Sequence, residues 1–147
     1  MSELTLRPIN KTDHAEDALD LAQRAADYVT LEIGRAPDMQ FIEDFFTAVP
    51  PGLTTENLMT FAIMEEEAMA GMICIAEGYE FPTDWWIGLV LLDPAFRRRG
   101  IGRTVLHLVR KKARKARMQM LKQLGRASWR ERGSDPVVAV SLIKKIR

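Results

Sequence analysis

The most informative stretch of this sequence reads LDPAFRRRGIGR, at residues 92–103. An apolar run at 85–92 precedes it and apolar residues at helical spacing follow it, so the stretch joins a buried strand to a helix. Gly100 and Gly102 allow a ligand to approach the backbone closely. The unpaired amides of the helix start and the positive end of its dipole then point at one spot. The stretch therefore predicts a phosphate or pyrophosphate site, to which the arginines add charge-assisted hydrogen bonds.

Two other phosphate-binding motifs do not fit this stretch. A Walker loop is excluded because no Gly-Lys-Ser/Thr follows at its spacing. A dinucleotide fingerprint is excluded because the third glycine is missing after Gly102.

Charge is distributed very unevenly along the chain. Residues 1–96 hold 18 acidic and 4 basic side chains, whereas residues 97–124 hold 11 basic and no acidic ones. This asymmetry indicates a localised anion site on a mostly acidic body. A solvated basic helix face is the alternative explanation.

Composition narrows the class of protein. The 147 residues fit one domain, and 47% hydrophobic with 28% charged residues is typical of a globular protein. No apolar run reaches the roughly 18 residues of a membrane span, and the N-terminus does not resemble a signal peptide. Cys74 is the only cysteine, and His14 and His107 are the only histidines. We therefore expect a cytoplasmic protein without membrane contact or a bound metal.

Periodicity predicts an α/β (α+β) fold with the order β-α-α-β-β-β-α-β. The sheet should be mixed, mainly antiparallel, with helices on its faces. The predicted strands cover 4–9, 58–64, 70–76 and 85–92, with a fifth beginning near 118; the predicted helices cover about 13–33, 39–48 and 102–115.

The pattern Arg-x-x-Gly-x-Gly at 97–102, after a strand ending in apolar-Asp-Pro and before an amphipathic helix, resembles the Gcn5-related N-acetyltransferase (GNAT) superfamily. The resemblance covers residues 4 to about 124. It implies transfer of an acetyl group from acetyl-coenzyme A to a small-molecule or peptide amine. It also implies that strands four and five splay apart and leave a V-shaped cleft for the cosubstrate.

The resemblance assigns the cosubstrate to one continuous surface. The amides of 97–103 would hold the pyrophosphate, and the end of strand four would pair with the pantetheine arm. The implied binding residues are Val90, Leu91, Leu92, Arg97, Arg98, Arg99, Gly100, Ile101, Gly102 and Arg103.

The base that deprotonates the amine is less clearly marked. Many relatives carry a glutamate on strand four, but this chain has Ile87-Gly88-Leu89 there. The available acids are Glu77 and Glu80 at the end of strand three and Asp84 at the start of strand four, of which we take Glu77 and Glu80 as candidate bases. Tyr79, Asp84 and Trp85 are candidate contacts for the acceptor substrate.

The sequence changes character near its end. We interpret 1–124 as a GNAT-like domain that is incomplete at its C-terminus, and 125–147 as a non-native tail that resembles translated read-through of a sequencing adaptor. A degenerate last helix at 127–133 is the rival interpretation. Strand four would keep an incompletely covered edge, so we expect weak stability. The family's tyrosine acid has no match here, so we also expect reduced activity.

Two other functions are compatible with the same motif. One is a catalytically silent coenzyme A-binding module, favoured by the missing base and acid. The other is a nucleic-acid binder that uses the ten bases of 97–117. The nucleic-acid hypothesis gives the glycine loop no role, and the segment 97–117 has no interleaved aromatic residues on which bases could stack. We therefore expect no nucleic-acid partner.

Overall fold

The computed structural model describes residues 3–123 and 142–145. Its strands are β1 (Leu4–Pro8), β2 (Leu58–Glu65), β3 (Ala68–Glu77), β4 (Asp84–Leu92), β5 (Met120–Gln123) and β6 (Leu142–Lys145). Its helices are α1 (Lys11–Arg24), α2 (Ala26–Ile33), α3 (Met39–Thr47) and α4 (Ile101–Lys115). Short 3-10 helices at Thr55–Asn57 and Pro94–Phe96 precede β2 and follow β4.

One sheet contains the six strands in chain order. Strands β1 to β4 form an antiparallel meander, β5 runs parallel to β4, and β6 is antiparallel to β5. The predicted mixed, mainly antiparallel sheet with flanking helices is confirmed. The predicted tail at 125–147 lies outside the described residues, apart from the backbone of β6.

The prediction of one helix over 13–33 is wrong. The helix is interrupted at Ala25, whose φ of −100° and ψ of 28° are not helical. Helix α1 ends before this residue and α2 begins after it. Ala25 is fully buried, so the apolar spacing continues through the break. No glycine or proline marks it, and the periodic pattern therefore looked continuous. The true start is also earlier, because the Asn10 side chain caps α1 by accepting a hydrogen bond from the Asp13 amide at 2.7 Å.

A β-bulge divides β4 into two halves. Cys74 of β3 lies opposite Leu89, whereas the next residue, Ile75, lies opposite Ile87. Gly88 is therefore the extra residue on β4. Pairing between β4 and β5 also ends at Ile87, opposite Gln123. Within the described residues, the β4 edge at 88–92 thus has no strand beside it on the β5 side.

Both faces of the sheet carry a core. Helices α1, α2 and α3 pack on one face, around Phe45, Met72 and Leu91. Helix α4 packs on the other face, where Val105 and Val109 meet Ile73. Strand β4 is consequently buried on both faces, as its apolar sequence predicts. Among the described residues, no helix has the length and apolar character of a bilayer span.

Candidate active site

The loop between β4 and α4 is built by two residues with left-handed backbone. Asp93 begins it by accepting a hydrogen bond from the Ala95 amide at 2.9 Å, which caps the turn Pro94–Phe96. Arg98 (φ 62°) and Gly100 (φ 74°) then reverse the chain so that α4 begins at Ile101. Glycine takes this conformation without strain, whereas arginine at φ 62° is uncommon.

The first turn of α4 is open toward solvent. Gly100 occupies the N-cap position, and no side chain of the described residues caps this helix start. A Cβ atom built on Gly100 or Gly102 would meet nothing within 4 Å. The first-turn amides of α4 therefore have no capping side chain among the described residues, and the positive end of the helix dipole lies at the same place. Both features fit a bound pyrophosphate.

Two of the loop arginines, Arg97 and Arg99, form ion pairs with carboxylates of other elements. Arg97 donates to both oxygens of Asp27 on α2, at 2.7 and 3.1 Å, and its Nε donates to the Leu92 carbonyl at 3.3 Å. This hydrogen-bonded pairing lowers the pKa of Asp27 and raises the pKa of Arg97. Arg99 donates to Glu65 at the end of β2, at 3.0 and 3.3 Å. Arg97 and Arg99 therefore position the loop.

Arg98 and Arg103 differ from these two arginines. Both are exposed, and neither side chain has a partner within residues 3–123. They are the loop cations available to an anionic ligand. The sequence indicated four equivalent arginines in this region, and only the fold separates them into two pairs. Asp27 and Glu65, which make the distinction, lie 70 and 34 residues away along the chain, so no local sequence pattern indicates them.

A second ion pair fixes the start of the loop. Arg24 of α1 donates from Nε to Asp93 at 2.7 Å and also bonds Asp20. Asp93 is buried, which by itself raises the pKa of its carboxyl group. The hydrogen bond from the Ala95 amide and the contacts of Arg24 outweigh that burial, so the pKa of Asp93 is lowered overall.

This lowered pKa predicts an acid-sensitive loop. A carboxyl group with a depressed folded-state pKa stabilises the fold above its unfolded-state pKa and loses that contribution as pH falls through the folded value. Asp93→Asn should therefore be less stable than the parent at pH 7. The difference should shrink once the pH falls below 3.8, the ordinary value for this group. Urea denaturation from pH 7 to 3 measures it.

A partner variant provides the control for this titration. Arg24→Gln removes the guanidinium that Asp93 contacts, so the pH dependence assigned to Asp93 should become smaller in that background. Equal differences between parent and Asp93→Asn at pH 7 and pH 3 would contradict the assignment.

The acidic candidates lie at the opposite end of β4 from the loop. Glu77 accepts a hydrogen bond from Trp85 Nε1 at 3.3 Å, and Trp85 itself is only 4% exposed, in the core beneath α4. Asp84 is 2% exposed and forms an ion pair with Lys122 of β5, with 2.7 Å between Nζ and Oδ2. Glu77 is thus hydrogen-bonded, whereas Asp84 has an ion-pair partner but its buried Oδ2 accepts no hydrogen bond from the described residues.

Tyr79 and Glu80 lie in the turn that leads into β4. Tyr79 packs edge-on against Trp86, with 5.3 Å between ring centroids, and its carbonyl accepts a hydrogen bond from Trp86 Nε1 at 2.9 Å. Glu80 is exposed and has a positive φ of 67°. The bulge at Gly88 lies midway between this turn and the loop that joins β4 to α4, which we call the cosubstrate loop after the binding role that the sequence predicts for it. Gly88 is about 13 Å along the strand from either end of β4.

The residues of β4 that were predicted to bind the cosubstrate lie in two different environments. Leu91 is buried in the α1–α3 core, whereas Val90 and Leu92 are partly exposed beside the α4 core. Their backbone, at the strand edge without a neighbour among the described residues, is what a cosubstrate could pair with. No group of three or more His, Cys, Asp or Glu side chains in the described part of the chain could hold a metal ion.

A family model described as the acetyltransferase (GNAT) family matches residues 19–132. The chain belongs to this family. The match covers the strand-loop-helix unit described above, and the resemblance read from the sequence is confirmed. None of the curated proteins compared with the chain matches it.

Solved structures of GNAT proteins share the fold. An acetyltransferase from Thermus thermophilus superposes with a TM-score of 0.71 at 18% identity, covering 99% of this chain and 100% of that one. The ribosomal-protein-S18-alanine N-acetyltransferase from Escherichia coli gives 0.57 at 17% identity, covering 82% and 66%. The PaiA N-acetyltransferase from Thermoplasma acidophilum, solved in complex with coenzyme A, gives 0.55 at 12% identity, covering 83% and 79%. At these identities the similarity establishes the GNAT fold.

Proposed function

We propose that this GNAT protein transfers the acetyl group of acetyl-coenzyme A to a primary amine. The observation that carries the proposal is the uncapped start of α4, with open space at Gly100 and Gly102, directly after a strand whose edge has no neighbour among the described residues. The helix start accepts a pyrophosphate, and the strand edge accepts an amide-containing chain extending from it.

The binding surface divides by chemistry. The amides of 100–103 hold the pyrophosphate, and Arg98 and Arg103 add charge-assisted contacts because their side chains are exposed. Arg97 and Arg99 keep the loop in place through Asp27 and Glu65. The backbone of Val90, Leu91 and Leu92 hydrogen-bonds the pantetheine arm.

The reacting centre belongs near the bulge. Acetyl-coenzyme A supplies an activated thioester carbonyl that a neutral amine can attack. Gly88 is in neither strand register, so its amide is suited to donate a hydrogen bond to the oxygen that becomes negative. When the amine attacks, the acceptor loses one proton, the C–S bond of the thioester breaks, and coenzyme A leaves as a thiolate that takes up a proton. Glu80 is our proposed base, because it is exposed in the turn at the end of the sheet from which an acceptor would approach. Since the start of β4 is about 13 Å from Gly88, Glu80 would take the proton through a chain of water molecules.

We place the acceptor among small-molecule or peptide amines. Tyr79, Asp84 and Trp85 form the end of the sheet from which it would approach. Trp85 and Asp84 are buried, so they shape that end from beneath, whereas Tyr79 is partly exposed. A nucleic-acid partner is disfavoured because Arg97 and Arg99, at the head of the basic segment, already hold protein carboxylates.

Glu80→Gln tests the base. The variant should reduce kcat by about a hundredfold, the usual contribution of a general base. The acidic limb of the pH–rate profile should disappear, while the Kd for acetyl-coenzyme A stays unchanged because the cosubstrate loop lies at the other end of β4. Initial rates across an amine panel, followed by free-thiol release, and calorimetry with acetyl-coenzyme A give both quantities.

Glu77→Gln is the matched control for this measurement. It makes the same chemical change at the neighbouring acid, and it should affect kcat only slightly. A large loss in Glu77→Gln with none in Glu80→Gln would transfer the role of base to Glu77.

A silent coenzyme A-binding module is the second candidate function. The partners of Glu77 and Asp84 favour it, because both of these acids near β4 are engaged in structural contacts. Calorimetry with acetyl-coenzyme A, followed by mass spectrometry of an amine panel, separates the two functions. Binding without any acetylated product would support the silent module.

A further inference from the structure

A groove lies between α1 and the outer strands of the sheet, on the face that carries α1, α2 and α3. Its volume is about 220 Å³. Ile9, Ala62, Met64 and Met69 contribute an apolar lining, and charged side chains of β1, α1 and the β2–β3 turn surround it. Of its lining residues, Arg24 also contacts the loop between β4 and α4 through its ion pair with Asp93, and the proposed acetyl transfer assigns no role to the others.

Some charged side chains of the lining are paired with other residues, and others are not. Arg24 is bonded to Asp20 and Asp93. The side chains of Arg7, Asp17 and Glu67 make no hydrogen bond or ion pair with any residue that the structure describes. The remaining ionisable group, His14, accepts a hydrogen bond at Nδ1 from the Asn10 amide at 3.0 Å. One cation and two anions therefore face the groove without a protein partner among the described residues.

The groove is distinct from the cosubstrate surface. Its lining comes from α1, β1 and the residue after it, β2, the β2–β3 turn and the beginning of β3, whereas the cosubstrate loop follows β4 and meets the groove only where Arg24 pairs with Asp93. Because neighbouring strands are about 4.8 Å apart, β1 and β4 are separated by roughly 14 Å across the sheet. A ligand in the groove would not occupy the cleft beside β4.

We propose that this groove binds a free dibasic amino acid, of the type of lysine or ornithine. Such a molecule carries one carboxylate and two ammonium groups, which complement the single free cation and two free anions of the lining. Arg7 pairs with the carboxylate, and Asp17 and Glu67 each take an ammonium group. The methylene chain packs on Met64 and Met69. This proposal does not depend on the acetyltransferase reaction.

Calorimetry with L-lysine, without acetyl-coenzyme A, tests the proposal. L-norleucine has the same chain without the second ammonium group, and cadaverine has the two ammonium groups without the carboxylate. We expect L-lysine to bind about tenfold more tightly than either, since each lacks one charge-assisted contact. Equal affinity for L-lysine and L-norleucine, or no detectable heat with L-lysine, would overturn the proposal.

Variants of the lining locate the binding. Arg7→Gln, Asp17→Asn and Glu67→Gln change exposed side chains, so the fold should tolerate them, and each should weaken L-lysine binding about tenfold. Glu16→Gln, an exposed neighbour on α1 outside the groove, should leave the affinity unchanged. If the affinity for L-lysine were unchanged in all three groove variants, the amino acid would bind elsewhere and the groove proposal would be wrong.

A cosubstrate-site variant separates this proposal from the proposed function. Gly102→Asp should leave L-lysine binding intact, because Gly102 does not line the groove. If Gly102→Asp abolished L-lysine binding, the amino acid would be bound in the cleft, and the groove proposal would be wrong. Loss of acetyl-coenzyme A binding alone bears only on the proposed function.

Discussion

Gly102→Asp is expected to abolish acetyl-coenzyme A binding while leaving the fold intact. Gly102 has an ordinary helical backbone, and a Cβ atom there would meet nothing within 4 Å, so a side chain fits. An aspartate in the first turn of a helix also interacts favourably with its dipole. The melting temperature should therefore stay the same or rise.

The binding loss follows from charge and space. The new carboxylate occupies the opening in front of the α4 amides and repels a pyrophosphate at the position where the amides would bind it. We expect the affinity to fall roughly a hundredfold or more, which corresponds to about 2.7 kcal/mol. Isothermal calorimetry measures it. Gly100→Asp is a poorer test, because its φ of 74° would strain any side chain and confuse misfolding with lost binding.

His107→Asp is the matched control for this experiment. It introduces the same carboxylate on an exposed position of the same helix, beyond the first turn. Its affinity for acetyl-coenzyme A should remain close to that of the parent. If Gly102→Asp bound acetyl-coenzyme A as tightly as His107→Asp, the helix start would not be the pyrophosphate site.

Lys122→Met should produce the largest loss of stability among these variants. Lys122 forms its ion pair with Asp84 where the side chains are only 13% and 3% exposed. Removing the ammonium group leaves a buried carboxylate without its counter-charge, which costs about 3–5 kcal/mol. The contacts of Lys122 with Phe81 and Trp86, at 5.3 and 5.0 Å from the ring centroids, are lost as well. Chemical denaturation gives the free energy of unfolding.

A double variant distinguishes the pair from the packing around it. Lys122→Met combined with Asp84→Leu replaces both charges by apolar groups of similar size, so most of the lost stability should return. If Lys122→Met alone cost less than about 1 kcal/mol, the pair would behave as an exposed surface ion pair, and the buried description would be wrong.

Long-range contacts account for most of what the sequence could not predict about the site. The three adjacent arginines at 97–99 are chemically equal in the sequence. In the structure, Arg97 and Arg99 form ion pairs with carboxylates of the protein, whereas Arg98 faces solvent. Their different roles depend on Asp27 and Glu65, which reach the loop only when α2 and β2 pack beside it. No local spacing encodes that arrangement.

The break at Ala25 and the bulge at Gly88 have the same origin. Periodicity was continuous through Ala25 because a buried alanine suits a helix interior and a helix junction equally well. Likewise, Gly88 within an apolar strand is compatible with regular pairing. Only the register with β3 shows that it is an extra residue, after which the side chains of β4 change faces. A one-residue offset of this kind depends on the partner strand.

Local sequence was sufficient to predict the strand-loop-helix unit, the mainly antiparallel sheet and the family, and it predicted the element order apart from the break of the first helix at Ala25 and the sixth strand. These follow from two glycines at fixed spacing, a run of apolar residues, and helical periodicity, which act through the conformation of a few consecutive residues. Packing was needed to establish which arginines are free, which acids carry structural contacts and which charged side chains surround the α1 groove. Those features depend on residues far apart in the chain, because the free energy of a buried or paired charge is set by the neighbours that packing supplies.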